Sequence, residues 1–379
     1  MVNRCHRASR SASRAATGCT GHPVPVLSEP LPAMRLRPVM LLLSGLLLAL
    51  PLISPAAPLR DDERPGQELA GEQIALWPAG QIPGEQGPAR PARVVERSRD
   101  PAHPDRYVDQ IDAPYLLVHV PAQPNGRALL VIPGGGYQRV VIDKEDSALV
   151  PEWVDRAGYT LFVLRYRLPQ PGRDRQAALA DAQRALRVVR DQAARRGLDA
   201  DSVSVMGFSA GGHVAARLAT GFDAQVYPAR DSIDRLSARP ARAVLVYPVI
   251  DMGAHAHSGS RGRLLGEHPD PTLAAQYSMQ QQVRADMPPT LLVHANDDRV
   301  VSVHNSERMA AALADAGVEH ELHLFDHGGH GFGMRVPAGS TLALWPLLAE
   351  AWLAATEKWA EMGSEPLSGG EGIRPRGSR

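Results

Sequence analysis

The stretch that most limits what this chain can fold into is Ser202 to Gly221, SVSVMGFSAGGHVAARLATG. Val203, Val205 and Met206 read as a buried strand closed by Gly207, while Ala210, Val214 and Leu218 recur as one apolar helical face that Gly221 ends. Between the two stands Gly207-Phe208-Ser209-Ala210-Gly211, a G-x-S-x-G pattern set at a strand-to-helix turn, the setting in which it has a mechanical reason. A serine at so sharp a turn is forced into strained backbone with its hydroxyl presented outward, and glycine two residues to either side lets strand and helix pass closely. Ser209 is therefore the candidate nucleophile.

A serine hydroxyl is a weak nucleophile at neutral pH, so it needs a base for its proton, an acid behind that base, and donors for the oxyanion that forms. Candidates follow in the chain order Ser, Asp, His. His294-Ala295-Asn296-Asp297-Asp298-Arg299-Val300-Val301 comes directly after a predicted strand; Asp298, just before Arg-Val-Val, is preferred as the acid, with Asp297 the alternative. His327-Gly328-Gly329-His330-Gly331-Phe332-Gly333 follows the last predicted strand, and a histidine among so many glycines has little beside it to pack against. That makes His330 the candidate base and leaves His327 a structural hydrogen bond. His213 and His294 read as hydrogen-bonded structural residues.

Ile132-Pro133-Gly134-Gly135-Gly136-Tyr137 ends another strand, and the amides of Gly135 and Gly136, free of side chains, can turn inward to join that of Ala210 as an oxyanion hole. A phosphate loop would instead need a helix start or a Gly-Lys-Ser/Thr, and neither is present. His327-x-x-His330 with Asp326 fails as a zinc site, because no further His or Cys stands at ligand spacing and zinc takes three or four ligands. No metal or organic cofactor is expected.

The flanking pattern sets the fold class. Strands are predicted over 115–120 and 128–132, with Pro124-Asn125-Gly126 between them reading as a hairpin turn. Helix 147–157, strand 160–164 and a long helix over 174–196 follow; after the serine turn come strands 243–247 and 290–294, helix 306–316 and strand 319–325. A last helix shows Trp345, Leu348, Trp352, Ala355 and Trp359 at three-and-four spacing. Strands alternating with amphipathic helices imply an α/β fold, a mostly parallel sheet of about eight strands with helices on both faces and ligands at the carboxyl ends of the strands. Residues 249–288 separate two of those strands by about forty residues, well beyond the usual connection, and read as a lid-like insertion or binding element. His255, His257, Arg261, Arg263 and Tyr277 lie in it, and Tyr277 joins Tyr137 as a candidate substrate contact.

The 379 residues suffice for one large domain or at most two. Formal charge is zero overall, but residues 1–56 carry Arg4, Arg7, Arg10, Arg14, Arg35 and Arg37 against Glu29 alone, so six minus one leaves +5 there and −5 in the remainder. A body of that sign offers no surface for a nucleic-acid backbone. Arg35 and Arg37 head an apolar run over 39–53, and Ser54-Pro55-Ala56 supplies small residues where a signal peptidase cleaves. Residues 34–56 thus read as a signal peptide for periplasmic or secreted export, too short for a membrane span, with 1–33 an upstream leader from a misplaced start. Cys5 and Cys19 both fall in that leader, so the exported chain would be free of thiol chemistry. Residues 57–110 read as an extended lead-in wrapping the domain edge, and 363–379 as a disordered tail.

Taken together, GFSAGGH, PGGGY, the Asp-Asp-Arg-Val-Val turn and HGGHGFG resemble the α/β-hydrolase superfamily in its esterase and lipase branch, and most closely bacterial acetylxylan-esterase-like proteins. The likeness runs from about Ile74 to Met362 and takes in LWPAGQIPG from Leu76, KEDSALVPEW from Lys144, YRLP from Tyr166 and LLGEHP from Leu264. Pro133 stands where the hydrolase loop commonly has the histidine of His-Gly-Gly-Gly, a mark of the acetylxylan-esterase-like members. The resemblance implies a catalytic domain over 111–362 and a serine esterase acting on short acyl groups, acetyl on plant-wall carbohydrate among them. Its substrate would be a small acyl ester or an acetylated oligosaccharide, since aromatic residues make up only 5% of the chain and offer no broad stacking platform for a polymer. Two other classes compete. A prolyl-oligopeptidase-like peptidase uses the same triad but ordinarily adds a large repeat domain, and a non-catalytic binding protein on this fold would be expected to have lost Ser, His or the glycine loop.

Overall fold

Apolar runs of four to six residues bounded by turns build the centre of the molecule. The computed structural model describes residues 60, 63–85 and 87–362, within a unit spanning Ala56–Arg379; the expected leader, export signal and tail, and both cysteines, lie outside the described residues. The main sheet has eight strands: β1 (Glu72–Ala75), β2 (Tyr115–His119), β3 (Ala128–Ile132), β4 (Thr160–Arg165), β5 (Ser204–Phe208), β6 (Ala243–Val246), β7 (Thr290–Ala295) and β8 (His320–Phe325). Their spatial order is β1-β2-β4-β3-β5-β6-β7-β8, antiparallel at β1/β2 and β2/β4 and parallel from β4 onward. This is the mostly parallel, eight-stranded sheet expected from the alternation, and it fits the α/β-hydrolase fold that the resemblance implied.

Side chains on a strand alternate between faces, so each central strand feeds two cores. Leu130 and Ile132 join one with α1 (Ala177–Arg196), α2 (Ser209–Thr220) and α5 (His304–Asp315); Leu129 and Val131 join the other, with Trp153 and α6 (Trp345–Met362). Trp345 and Trp352 of α6 are buried as their spacing predicts, but Leu348 is exposed. Burying one such large side chain contributes roughly 1.5–3 kcal/mol, and both faces of β3, β4, β5, β6 and β7 are covered in this way.

Two expectations are corrected. The segment after β2 is not a hairpin, because β4 inserts between β2 and β3. Asn125 instead ties the connection to the approach of β4, its amide donating to the Gly158 carbonyl (2.8 Å) and its side chain to that of Ala157 (2.8 Å). The predicted helix over 147–157 is a 3₁₀ turn, Ser147–Leu149, running into a π-helical turn, Val150–Arg156. Pro151 has no N–H to offer a regular α-helical ladder.

The lead-in does more than wrap an edge. Besides β1 it supplies Arg64–Pro65, Arg93–Glu96 and Arg106–Gln110, which form a four-stranded antiparallel sheet with Val140–Val141. That last strand directly follows the PGGGY loop, so the second sheet stands at the carboxyl ends of the main strands. The insertion over 249–288 folds into α3 (Ser258–Leu265), α4 (Pro271–Gln276) and a 3₁₀ turn, Met279–Gln281. Buried hydrogen bonds anchor its entry: Asn305 Oδ1 on α5 accepts the amides of Ile250 and Asp251, each at 2.8 Å.

Candidate active site

Strand β5 runs into α2 with almost no clearance. A Cβ added at Gly207 would lie 2.6 Å from the Ala215 Cβ, and one at Gly211 would lie 2.1 Å from the Ile132 carbonyl oxygen, so both positions exclude any side chain. Ser209 between them sits at φ 51°, a left-handed conformation that costs a non-glycine residue about 1–3 kcal/mol and that the surrounding packing enforces. Ala210 opens the first turn of α2, where amides have no partner within the helix.

Three elements distant in sequence meet at this turn. Ser209 Oγ is 2.8 Å from His330 Nε2, and His330 Nδ1 is 2.7 Å from Asp298 Oδ2. Asp298 is held on both oxygens: Oδ1 accepts the amides of Val300 (2.8 Å) and Val301 (2.9 Å), while Oδ2 also faces His294 Nε2 at 3.1 Å. Burial pushes its carboxyl up, but the bonds from His294 and His330 and the nearby His330 charge outweigh that and hold it well below the ordinary carboxylate range. His294 is itself fixed, Nδ1 lying 2.8 Å from Ser306 Oγ. The two adjacent carboxylates divide their work, for Asp297 accepts the amides of Gly328 (2.9 Å) and Gly329 (2.8 Å) and so shapes the loop that carries His330. His327 is exposed and only 3.5 Å from Asp297, a loose surface contact in place of the structural hydrogen bond expected of it.

The PGGGY loop closes tightly on itself. The Gly135 carbonyl accepts the amides of Gln138 (3.1 Å) and Arg139 (3.2 Å), and a Cβ on Gly135 would lie 2.2 Å from the Arg139 carbonyl oxygen. Behind the loop is a group that pattern reading passed over. Glu145 Oε2 accepts the Gly134 amide at 2.6 Å and Oε1 accepts the Tyr247 hydroxyl at 2.9 Å, whose oxygen in turn accepts the Gly333 amide at 3.0 Å. One buried carboxyl thereby links the glycine loop to the histidine loop, and burial raises its pKa. Its signal in the sequence was an acid inside KEDSALVPEW, with nothing local to say where it points.

Ser209, His330, Gly135 and Gly136 open onto a cleft of about 460 Å³, bordered also by His257 and Arg263 of the insertion. Burial, with the His330 charge, lowers the His257 pKa; its Nδ1 caps α3 by accepting the Ser260 amide at 3.2 Å. Neither tyrosine expected to touch substrate lines this cleft. Tyr137 is 1% exposed, its hydroxyl 2.6 Å from His213 Nδ1, and Tyr277 is 6% exposed with its ring beneath Arg217. His213 also faces the Tyr277 carbonyl at 2.8 Å, and burial together with the Arg217 charge lowers it to about 3, so it is neutral, as a structural histidine should be. Tyr137 adopts φ 58° and its ring is buried in the core, so this aromatic residue beside the glycine loop faces inward. Among the described residues no cluster of His, Cys, Asp or Glu is arranged to hold a metal ion.

Comparison with known proteins agrees with this architecture. An acetylxylan esterase of Xylanibacter ruminicola is 35% identical over 223 residues, 58% of this chain and 43% of that protein. Endo-1,4-beta-xylanase B of Butyrivibrio fibrisolvens is 34% identical over 205 residues, 54% of this chain and 32% of that protein. The chain thus spans less than half the length of these two relatives. Among solved structures, an acetyl ester-xyloside bifunctional hydrolase from Caldicellulosiruptor lactoaceticus superposes with a TM-score of 0.61 at 34% identity, covering 76% of this chain and 97% of that one. The BD-FAE family model matches residues 118–313, from β2 through most of α5. That span holds the glycine loop, the serine turn and the acid within an α/β-hydrolase sheet, and the chain belongs to the BD-FAE family.

Proposed function

We propose that the protein is a carboxylic ester hydrolase that removes short acyl groups, acetyl foremost, from carbohydrate esters through an acyl-enzyme. The observation that carries this reading is the continuous hydrogen-bonded run from Ser209 Oγ through His330 to Asp298, opening on a cleft bordered by the glycine loop. His330 Nε2 takes the Ser209 proton as Oγ adds to the ester carbonyl, and Asp298 keeps the imidazole in the required tautomer and stabilises its charged form. The carbonyl oxygen becomes an oxyanion facing the amides of Gly135, Gly136 and Ala210, donors that together lower the barrier by several kcal/mol. His330 then gives that proton to the sugar oxygen as its bond to the acyl carbon breaks, so the sugar leaves as an alcohol and the acyl group stays on Ser209. Water, deprotonated by the same histidine, adds to the acyl-serine and releases the carboxylic acid.

The names of the acetylxylan esterase and the acetyl ester-xyloside hydrolase support a carbohydrate ester as substrate. We also propose export, which suits such a substrate: residues 34–56 carry the basic head and apolar run of a signal, and sequencing the mature N-terminus tests this, a start upstream of Met34 overturning it. For the chemistry, Ser209→Ala is expected to lower p-nitrophenyl acetate turnover by about 10⁴-fold or more with circular dichroism unchanged. Retained turnover, or labelling of the variant by a fluorophosphonate, would remove Ser209 as nucleophile.

A further inference from the structure

The walls of the cleft beside Ser209 are strongly cationic. Arg97, Arg139, Lys144 and Arg263 all border it, while its one bordering carboxyl, Glu145, is buried and engaged by Gly134 and Tyr247. Among the described residues, Asp105 pairs with Arg97 at 2.8 Å and so offsets that charge, Glu63 accepts the Tyr107 hydroxyl at 2.7 Å, and Asp298 lies behind His330. Arg139 is the telling member. Its guanidinium is half-buried 4.6 Å from the Tyr107 ring, with Arg97 at 5.4 Å from the same ring, and its hydrogen-bond partner is the neutral Gln138 amide oxygen at 3.1 Å. Among the described residues no carboxylate pairs with it. Burial and the like charge of Arg97 lower its pKa, and the charge of Glu63, which makes no ion pair with it among the described residues, offsets this only in part. Arg139 also belongs to the turn of the oxyanion loop, since its amide donates to the Gly135 carbonyl at 3.2 Å, so its position is tied to the place where a reacting carbonyl would sit.

We propose that this cleft selects esters that carry a carboxylate, with Arg139 pairing to that group and Lys144 and Arg263 supplying the surrounding field. The proposal rests on the esterase reading and narrows it to acidic substrates, such as an acetylated sugar bearing an acid group or an acyl group that is itself a half-ester of a diacid. A guanidinium meeting a carboxylate in a half-buried wall gains a charge-assisted bond that a solvated surface pair does not. Cationic walls also concentrate anionic substrates near the nucleophile.

The test compares matched esters. 3-Carboxyphenyl acetate against 3-carbamoylphenyl acetate places the charge on the alcohol side; the p-nitrophenyl half-ester of succinic acid against p-nitrophenyl methyl succinate places it on the acyl side. The native protein is expected to favour the charged member of at least one pair by about tenfold in kcat/KM, after correction for the uncatalysed rates. Raising salt from about 0.05 M to about 0.5 M should shrink that ratio, and Arg139→Gln should collapse it. Lys144→Gln, a substitution off the glycine turn, should reduce it partly and provides a second reading if the Arg139 variant does not fold. Charged-to-neutral ratios near one in both pairs, or ratios insensitive to salt and to both substitutions, would overturn the proposal. Loss of turnover on the neutral esters as well would instead strike at the esterase reading, so the two failures are told apart.

Discussion

Replacing Asp298 by asparagine changes one atom, yet the structure assigns it a large effect. Each carboxylate oxygen faces two donors, the amides of Val300 and Val301 on Oδ1 and the imidazoles of His330 and His294 on Oδ2. An asparagine has one acceptor oxygen, so either orientation turns its NH₂ against two donors. If the NH₂ faces the amides, the buried Val301 N–H loses its partner, at about 1–3 kcal/mol, and the part-buried Val300 N–H loses its own. If it faces the histidines, His330 can accept at Nδ1 only by moving its own proton to Nε2, and it then has no lone pair for the Ser209 proton. The second orientation is the less costly to the fold, and it would disable His330 in the proposed role of base. In a serine protease the same exchange lowers kcat by about 10⁴, and a fall in kcat/KM of about 10³–10⁴, or roughly 4–5.5 kcal/mol, is expected here. Asp297→Asn is the control. Asp297 is exposed, accepts the two loop amides on one oxygen and meets His327 only loosely, and its amide replacement keeps an oxygen for the amides, so the loss should stay within about tenfold. Steady-state hydrolysis of p-nitrophenyl acetate by the two variants, with urea midpoints for stability, decides the matter. Equal losses in both, or an Asp298→Asn enzyme within tenfold of the native one, would refute the reasoning. The acid limb of stability provides a second check. The Asp298 pKa lies below its unfolded value of 3.8, so its contribution is present above that value and is lost as pH falls through the folded pKa; the asparagine variant should lack this loss.

Two further predictions follow from the contacts. Glu145→Gln is expected to remain active, because Gln Oε1 can accept the Gly134 amide while the Tyr247 hydroxyl turns to accept from Nε2. The Glu145 pKa is raised above 4.5, so native stability from this group is greatest below that pH and declines as pH rises; urea midpoints between pH 4 and 8 should move in favour of the Gln variant, and a pH-independent difference would contradict this. Gly211→Ala drives a Cβ to 2.1 Å from the Ile132 oxygen and 2.3 Å from that of Pro133, both backbone, and should cost about 3 kcal/mol or more. Gly136→Ala meets nothing closer than 3.8 Å and carries mainly the left-handed penalty, about 1–2 kcal/mol. Thermal melts showing the two alanines equally tolerated would dismiss the close-approach argument.

Much of this protein was legible as local pattern. The serine turn needs a strand, a helix and small residues at set spacing, all of which are contiguous, and the acid and the histidine each follow a recognisable strand, so their chain order could be read directly. Even the choice of Asp298 over Asp297 had a local cue, the Val300 and Val301 amides that follow it closely enough to bind its oxygen. What the pattern could not decide was pairing between segments. Nothing local to residues 115–132 says that a strand thirty residues on will separate β2 from β3, because strand order is set by which apolar faces bury best together. The same holds for side-chain direction. Tyr137 and Tyr277 stand beside the right loops yet point into the core, while Glu145 and Arg139, unremarkable in sequence, border the cleft at Ser209. A motif states which atoms chemistry requires; only the packed chain determines which other charges surround them, since burial and Coulomb attraction depend on distances through space that no spacing along the chain encodes.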